Sequence, residues 1–127
     1  MTKTRVLWRK NRGSNVTSPL YYQGKLYWAS ERNGIAYCQD AATGEFIYQQ
    51  SMRPQPGLIY ASPIRVHDRI YYLSQHGGTY VVRAASEFDL IAHNVFEEDD
   101  SRLNASPAVS DNSLYLRTDR FLYCIRK

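Results

Sequence analysis

Cysteine is scarce in this chain, with Cys38 and Cys124 the two residues of that type among 127. Two are too few for a disulfide framework, and their separation fits no metal-ligand pattern. Free cysteine mostly behaves as a small interior hydrophobe, so both are expected to be buried strand residues rather than a redox pair. Long apolar runs are missing as well. No run of about eighteen apolar residues occurs, so a membrane-spanning helix is not expected. The opening MTKTRVLWRK has basic residues but no apolar stretch behind them, and does not read as a signal peptide. As written, the chain is expected in the cytoplasm, or in an extracytoplasmic or periplasmic space if it is cut from a longer exported parent. The histidines, His67, His76 and His93, stand at no metal spacing and read as surface residues. No Ser/His/Asp set, phosphate-cradling loop or zinc pattern is present. No catalytic, cofactor-binding or metal-ligating residue is therefore assigned, and no cofactor is expected.

Charge is modest. The formal net charge of +4 permits weak attraction to polyanions, but the positives form no continuous run and no base-reading motif accompanies them. Neither nucleic acid nor membrane insertion is expected. Asn15-Val16-Thr17 and Asn104-Ala105-Ser106 fit the glycosylation sequon, the second directly before Pro107.

What the chain does have is tyrosine, eleven of them, with frequent Val and Ile and scattered Gly and Pro. That composition favours strands. It also has a repeat. Ser18-Pro19 returns as Ser62-Pro63 and Ser106-Pro107, a constant interval of 44 residues, and Tyr27, Tyr71 and Tyr115 keep the same step. Each copy opens with a short strand (SPLYY, SPIRV, SPAVS) whose proline takes a first position, where its missing N–H is harmless. A turn follows at Gln23-Gly24, His67-Asp68 or Asp111-Asn112, types that accept tight-hairpin dihedrals. Second strands (KLYWAS, RIYYLS, SLYLRT) and third strands (IAYCQ, TYVVR, FLYCIR) come next. A fourth, EFIYQ or DLIAHN, closes the first two copies. Four short antiparallel strands repeated at this interval predict an all-β chain of β-propeller blades, with a β-solenoid as the alternative.

The segment GIAYCQDAATGEFIY, residues 34–48, resembles the repeat of pyrroloquinoline-quinone-like propellers. Gly34, Tyr37, Asp40, Thr43 and Gly44 match its pattern, and Tyr48 stands where that family has a docking tryptophan. The resemblance implies that Asp40, Thr43, Gly44 and Tyr48 form a blade-docking motif, fastening one blade to the next. In the second copy Ala84, Glu87, Phe88 and Ala92 read as the corresponding residues. Enzymatic members hold a quinone in the central channel beside calcium, enclosed by long loops that this chain lacks. Non-enzymatic members bind partner proteins through the propeller rim.

Counting strands gives residues 4–10 as the outer strand of a neighbouring blade, 18–61 as blade 1, 62–105 as blade 2, and 106–127 as blade 3 without its outer strand. Three blades are too few for a ring, since propellers carry roughly four to eight. Two copies supply six. The expectation is a homodimer closing a six-bladed ring, in which Arg5, Val6, Leu7 and Trp8 complete the partner's third blade by strand addition. The connection bearing Arg9, Lys10 and Arg12 would then lie beside the partner's Glu97, Glu98, Asp99 and Asp100, although a merely solvated acidic loop also fits. The chain equally reads as the tail of a longer propeller. Functionally it reads as a non-catalytic module for protein binding or scaffolding. A fragment of a quinoprotein dehydrogenase is one alternative. A carbohydrate-binding propeller lined by Tyr21, Tyr22, Tyr60, Tyr72 and Tyr80 is the other, although packing between blades explains those rings as well.

Overall fold

In the computed structural model, residues 5–14, 16–95 and 98–126 are described. Among them, eleven strands form three antiparallel sheets. Blade 1 contains β1 (Leu20–Tyr22), β2 (Lys25–Ala29), β3 (Ile35–Asp40) and β4 (Phe46–Ser51), hydrogen-bonded in chain order. Blade 2 repeats the order with β5 (Ile64–Val66), β6 (Arg69–Leu73), β7 (Thr79–Arg83) and β8 (Leu90–Asn94). Blade 3 has β9 (Ala108–Ser110), β10 (Ser113–Arg117) and β11 (Leu122–Arg126). The all-β blade architecture expected from the repeat is the one found.

Local chemistry sets each blade's first two corners. The β1–β2 turn takes positive φ at Gln23 (48°) and Gly24 (79°), and its counterparts do so at His67 (55°), Asp111 (50°) and Asn112 (63°). Those dihedrals give the hairpin a twist that suits its strands. At the next corner a hydroxyl does the work. Ser30 Oγ accepts the Ile35 N–H at 3.0 Å, Thr118 Oγ1 accepts the Phe121 N–H at 3.0 Å, and Ser74 Oγ accepts the Gly77 N–H. These residues end the second strand of every copy.

Residues 5–10, expected as the outer strand of a neighbouring blade, take no strand assignment within their own chain, and Thr4 lies outside the described residues. A strand exists through bonds to a neighbour, and no sheet of this chain includes this segment. The third strands also depart from the 44-residue step. Lys25 pairs with Asp40 and Arg69 with Arg83, while the Ala41 and Ala84 N–H groups donate to the Gly24 and Asp68 carbonyls. Arg83, not Ala84, therefore occupies the place of Asp40. Blade 2 is one residue shorter before its third strand and one longer after it.

Apolar packing joins the blades face to face. Tyr27, Ala29, Ala36 and Cys38 of blade 1 are buried with Ile70, Tyr72, Tyr80 and Val82 of blade 2. Leu73 of blade 2 is buried with Leu114 and Leu116 of blade 3, with Tyr71 packed against them. The Ser-Pro repeats add polar rungs. The Ser18 N–H donates to Ser62 Oγ at 2.9 Å, and the Ser62 N–H donates to Ser106 Oγ at 2.9 Å. One serine thus links each blade to the next.

Candidate functional site

The β3–β4 turn of blade 1 is built by its own side chains. Asp40 Oδ1 accepts the N–H groups of Ala42 (2.9 Å) and Thr43 (3.0 Å), and Thr43 Oγ1 accepts that of Glu45 at 3.2 Å. Gly44 takes φ +78°. Beneath the turn, Gln39 Nε2 donates to the Gly44 carbonyl at 3.1 Å, and Gln39 Oε1 accepts from Trp28 Nε1 at 2.7 Å. Trp28 stacks on Tyr37 with ring centroids 4.1 Å apart.

Trp8 docks onto this turn. Its Nε1 donates to the Ala41 carbonyl at 2.9 Å, and a Cβ on Gly44 would lie 2.4 Å from its ring. The absence of a side chain at position 44 is what admits the indole. Tyr48 makes the corresponding contact one blade on, edge-to-face with Phe88 at 5.7 Å. Its hydroxyl is buried without a hydrogen-bond partner. The sequence grouped Asp40, Thr43, Gly44 and Tyr48 as one motif. The structure brings Trp8 to Ala41 and Gly44 of the turn that Asp40 and Thr43 brace, and sends Tyr48 to the neighbouring blade. Only Trp8's indole, separated by 36 positions from a turn glycine, hinted at that docking.

On either side of the docked Trp8 the chain is open. Val6 and Leu7 are each 79% exposed, and Arg5 is exposed too. At the far end β11 pairs with β10 alone, leaving Leu122 74% exposed. Cys124 is exposed, against the expectation that both cysteines are interior, because no blade covers β11's outer face; Cys38 is buried as expected. A groove of about 210 Å³ opens on the free face of blade 1, lined by Lys10, Pro19, Leu26 and Trp28 among others.

The acidic connection differs from a simple solvated loop. Asp99 is buried and accepts hydrogen bonds from Thr118 Oγ1 (2.7 Å), Tyr123 Oη (2.7 Å) and the Ser101 hydroxyl and N–H. The Ser101 and Tyr123 hydroxyls hold its carboxyl well below the usual carboxylate range, and the carboxylate pushes the Tyr123 phenol up to about 12. Asp99 is therefore committed to blade 3. Asp100 lies 3.6 Å from Arg120, and Arg12 reaches Gln49 at 3.4 Å. Glu97 lies outside the described residues.

The remaining candidates stay apart. His67 and His76 are exposed, while His93 is half-buried against Tyr80 with ring centroids 4.3 Å apart. Among the described residues no cluster of His, Cys, Asp or Glu has the make-up of a metal site. Tyr21 is 65% exposed, Tyr22 lies under the Arg65 guanidinium, Tyr60 is half-buried, and Tyr72 and Tyr80 are fully buried. Asn15 lies outside the described residues, and Asn104 is exposed and bonded to Gln75.

No family model matches the sequence, and no curated protein matches it. Solved structures do match. BamB from Moraxella catarrhalis superposes with TM-score 0.64 at 14% identity, over 84% of this chain and 32% of its own. A quinohemoprotein alcohol dehydrogenase from Pseudomonas putida HK5 gives 0.59 at 14%, over 86% of this chain and 17% of its own. The computationally designed Ika4 protein gives 0.59 at 7%, covering 98% of this chain and 99% of its own. The chain thus spans a third or less of the two natural neighbours. Both have pyrroloquinoline-quinone-like β-propeller folds, and the chain has the β-propeller fold.

Proposed function

We propose that this chain is a non-catalytic propeller module of the pyrroloquinoline-quinone-like repeat type, used for protein binding or scaffolding. We further propose that two copies close a six-bladed ring by strand exchange. One observation carries the reading: the devices that join blade to blade run open at both ends. Trp8 is docked, yet the apolar residues before it, Val6 and Leu7, are bare. β11 pairs with β10 alone among the described residues and so offers an open edge. An exposed edge and an unpaired extended segment are the two halves of a strand-addition contact. The basic and acidic connections contribute little, since exposed ion pairs are worth about 0–1 kcal/mol and Asp99 is already engaged. Size-exclusion chromatography with light scattering tests the assembly. At micromolar concentration the mass should be twice the 14.7 kDa of one chain; a soluble monomer would overturn it.

A further inference from the structure

We infer that the second copy seats by the same step that relates the blades within the chain, placing the partner's Tyr115 in the groove beside Leu26 and Trp28. The inference rests on the ring assembly proposed above and adds its register. Three independent positions give the same answer.

The first is the serine ladder. Ser18 donates to Ser62 and Ser62 to Ser106, which leaves Ser18 Oγ and the Ser106 N–H without partners among the described residues. One lies at each end of the ladder. The next rung runs from the Ser106 N–H of one copy to Ser18 Oγ of the other.

The second is the apolar seam. Tyr27 of blade 1 is buried in one cluster with Ile70 and Tyr72 of blade 2. One step on, Tyr71 packs with Leu114 and Leu116 of blade 3. Tyr115 holds the same place in blade 3 and is half-exposed. Leu26 and Trp28 hold, in blade 1, the places of Ile70 and Tyr72, and they line a groove of about 210 Å³. A tyrosine without a seat and a seat without a tyrosine belong to the two free faces.

The third is the outer strand. Cys38 faces Tyr48 across β3–β4, and Val81 faces Ala92 across β7–β8. Cys124 is the residue of β11 that pairs with Tyr115, as Cys38 pairs with Tyr27. Trp8 docks on blade 1 as Tyr48 does on blade 2. Each Trp8 therefore faces the partner's Cys124, with Val6 and Leu7 lying along the bare β11 edge.

Paired cysteines and a short bismaleimide test this register, on a Cys124→Ser background that removes the exposed native thiol. The pair Ser18→Cys with Ser62→Cys should bridge within one chain and calibrates the rung. The pair Ser18→Cys with Ser106→Cys should bridge between chains, giving a covalent dimer on a denaturing gel. A sample that is dimeric by light scattering, bridges the first pair and not the second, would overturn the register while leaving the ring standing. A monomeric sample would overturn both. Tyr115→Ala gives a reading that does not depend on cross-linking geometry. Truncating a tyrosine anchor should weaken dimerisation about tenfold or more, and an unchanged dissociation constant would overturn the seat.

Discussion

Trp8 donates its indole N–H to the carbonyl of Ala41 at 2.9 Å, across 33 positions of sequence. This bond, together with ring contact at Gly44, fixes an otherwise exposed leading segment onto blade 1. Gly44→Ala should break it in two ways. Alanine is strained at φ +78°, and its Cβ would meet the indole at 2.4 Å. The combined loss should be about 2 kcal/mol, read by urea denaturation, with a red shift of tryptophan emission as the indole is released. Trp8→Phe should lose only the hydrogen bond, about 1 kcal/mol.

Two buried tyrosines should respond oppositely to loss of the hydroxyl. Tyr72 is fully buried and its hydroxyl has no hydrogen-bond partner. Tyr72→Phe should be neutral or stabilising by about 1 kcal/mol, because an unsatisfied buried hydroxyl carries its desolvation cost uncompensated. Tyr80 donates its hydroxyl to the Pro54 carbonyl at 2.7 Å, so Tyr80→Phe should cost about 1 kcal/mol. Thermal melts of the two variants beside the parent decide both.

Asp99 should make blade 3 acid-sensitive. Its hydrogen bonds favour the carboxylate, so the folded pKa lies below the unfolded one. The contribution is then fully present above the unfolded value and is lost as pH falls through the folded one. Asp99→Asn should lower the melting temperature at neutral pH. The gap between variant and parent should hold down to about pH 5 and narrow below about pH 4. A gap that stays constant to pH 2 would contradict this account.

Serines of the ladder should separate folding from assembly. Ser62→Ala removes an internal rung and leaves the Ser18 N–H to solvent, a loss of about 0.5–1 kcal/mol in the melt. Ser18 Oγ makes no bond among the described residues, so Ser18→Ala should leave a dilute monomer's stability unchanged and weaken dimerisation alone. Sedimentation equilibrium on the two variants would show the contrast.

The blades themselves were legible because a constant interval and turn-forming pairs mark each hairpin. Gln23-Gly24 and Asp111-Asn112 sit where their positive φ values are needed. The shift in blade 2 was not legible. A deletion before β7 and an insertion after it cancel, so the fourth strands return to the original step and hide the slip between. Packing side chains were readable as core, but not which tyrosine would find a partner. Trp8 reads as part of an outer strand, and a strand assignment requires hydrogen bonds to a neighbour that its segment does not make with the described sheets. Asp99 was read among four acidic residues in a row, and nothing local distinguishes the one that Thr118 and Tyr123 draw inward from its solvated neighbours.

The two seams between blades are unequal. Between blades 1 and 2 lie three fully buried tyrosines, Tyr27, Tyr72 and Tyr80. Between blades 2 and 3 lie mainly leucines, beside a cavity of about 290 Å³. Amide exchange should thus begin in β9 and β11 and reach β2, β3, β6 and β7 last, since opening follows the sparsest packing. The sheet proposed above to receive a second copy is also the one that should fray first, which would make its final ordering and the capture of a neighbour a single event.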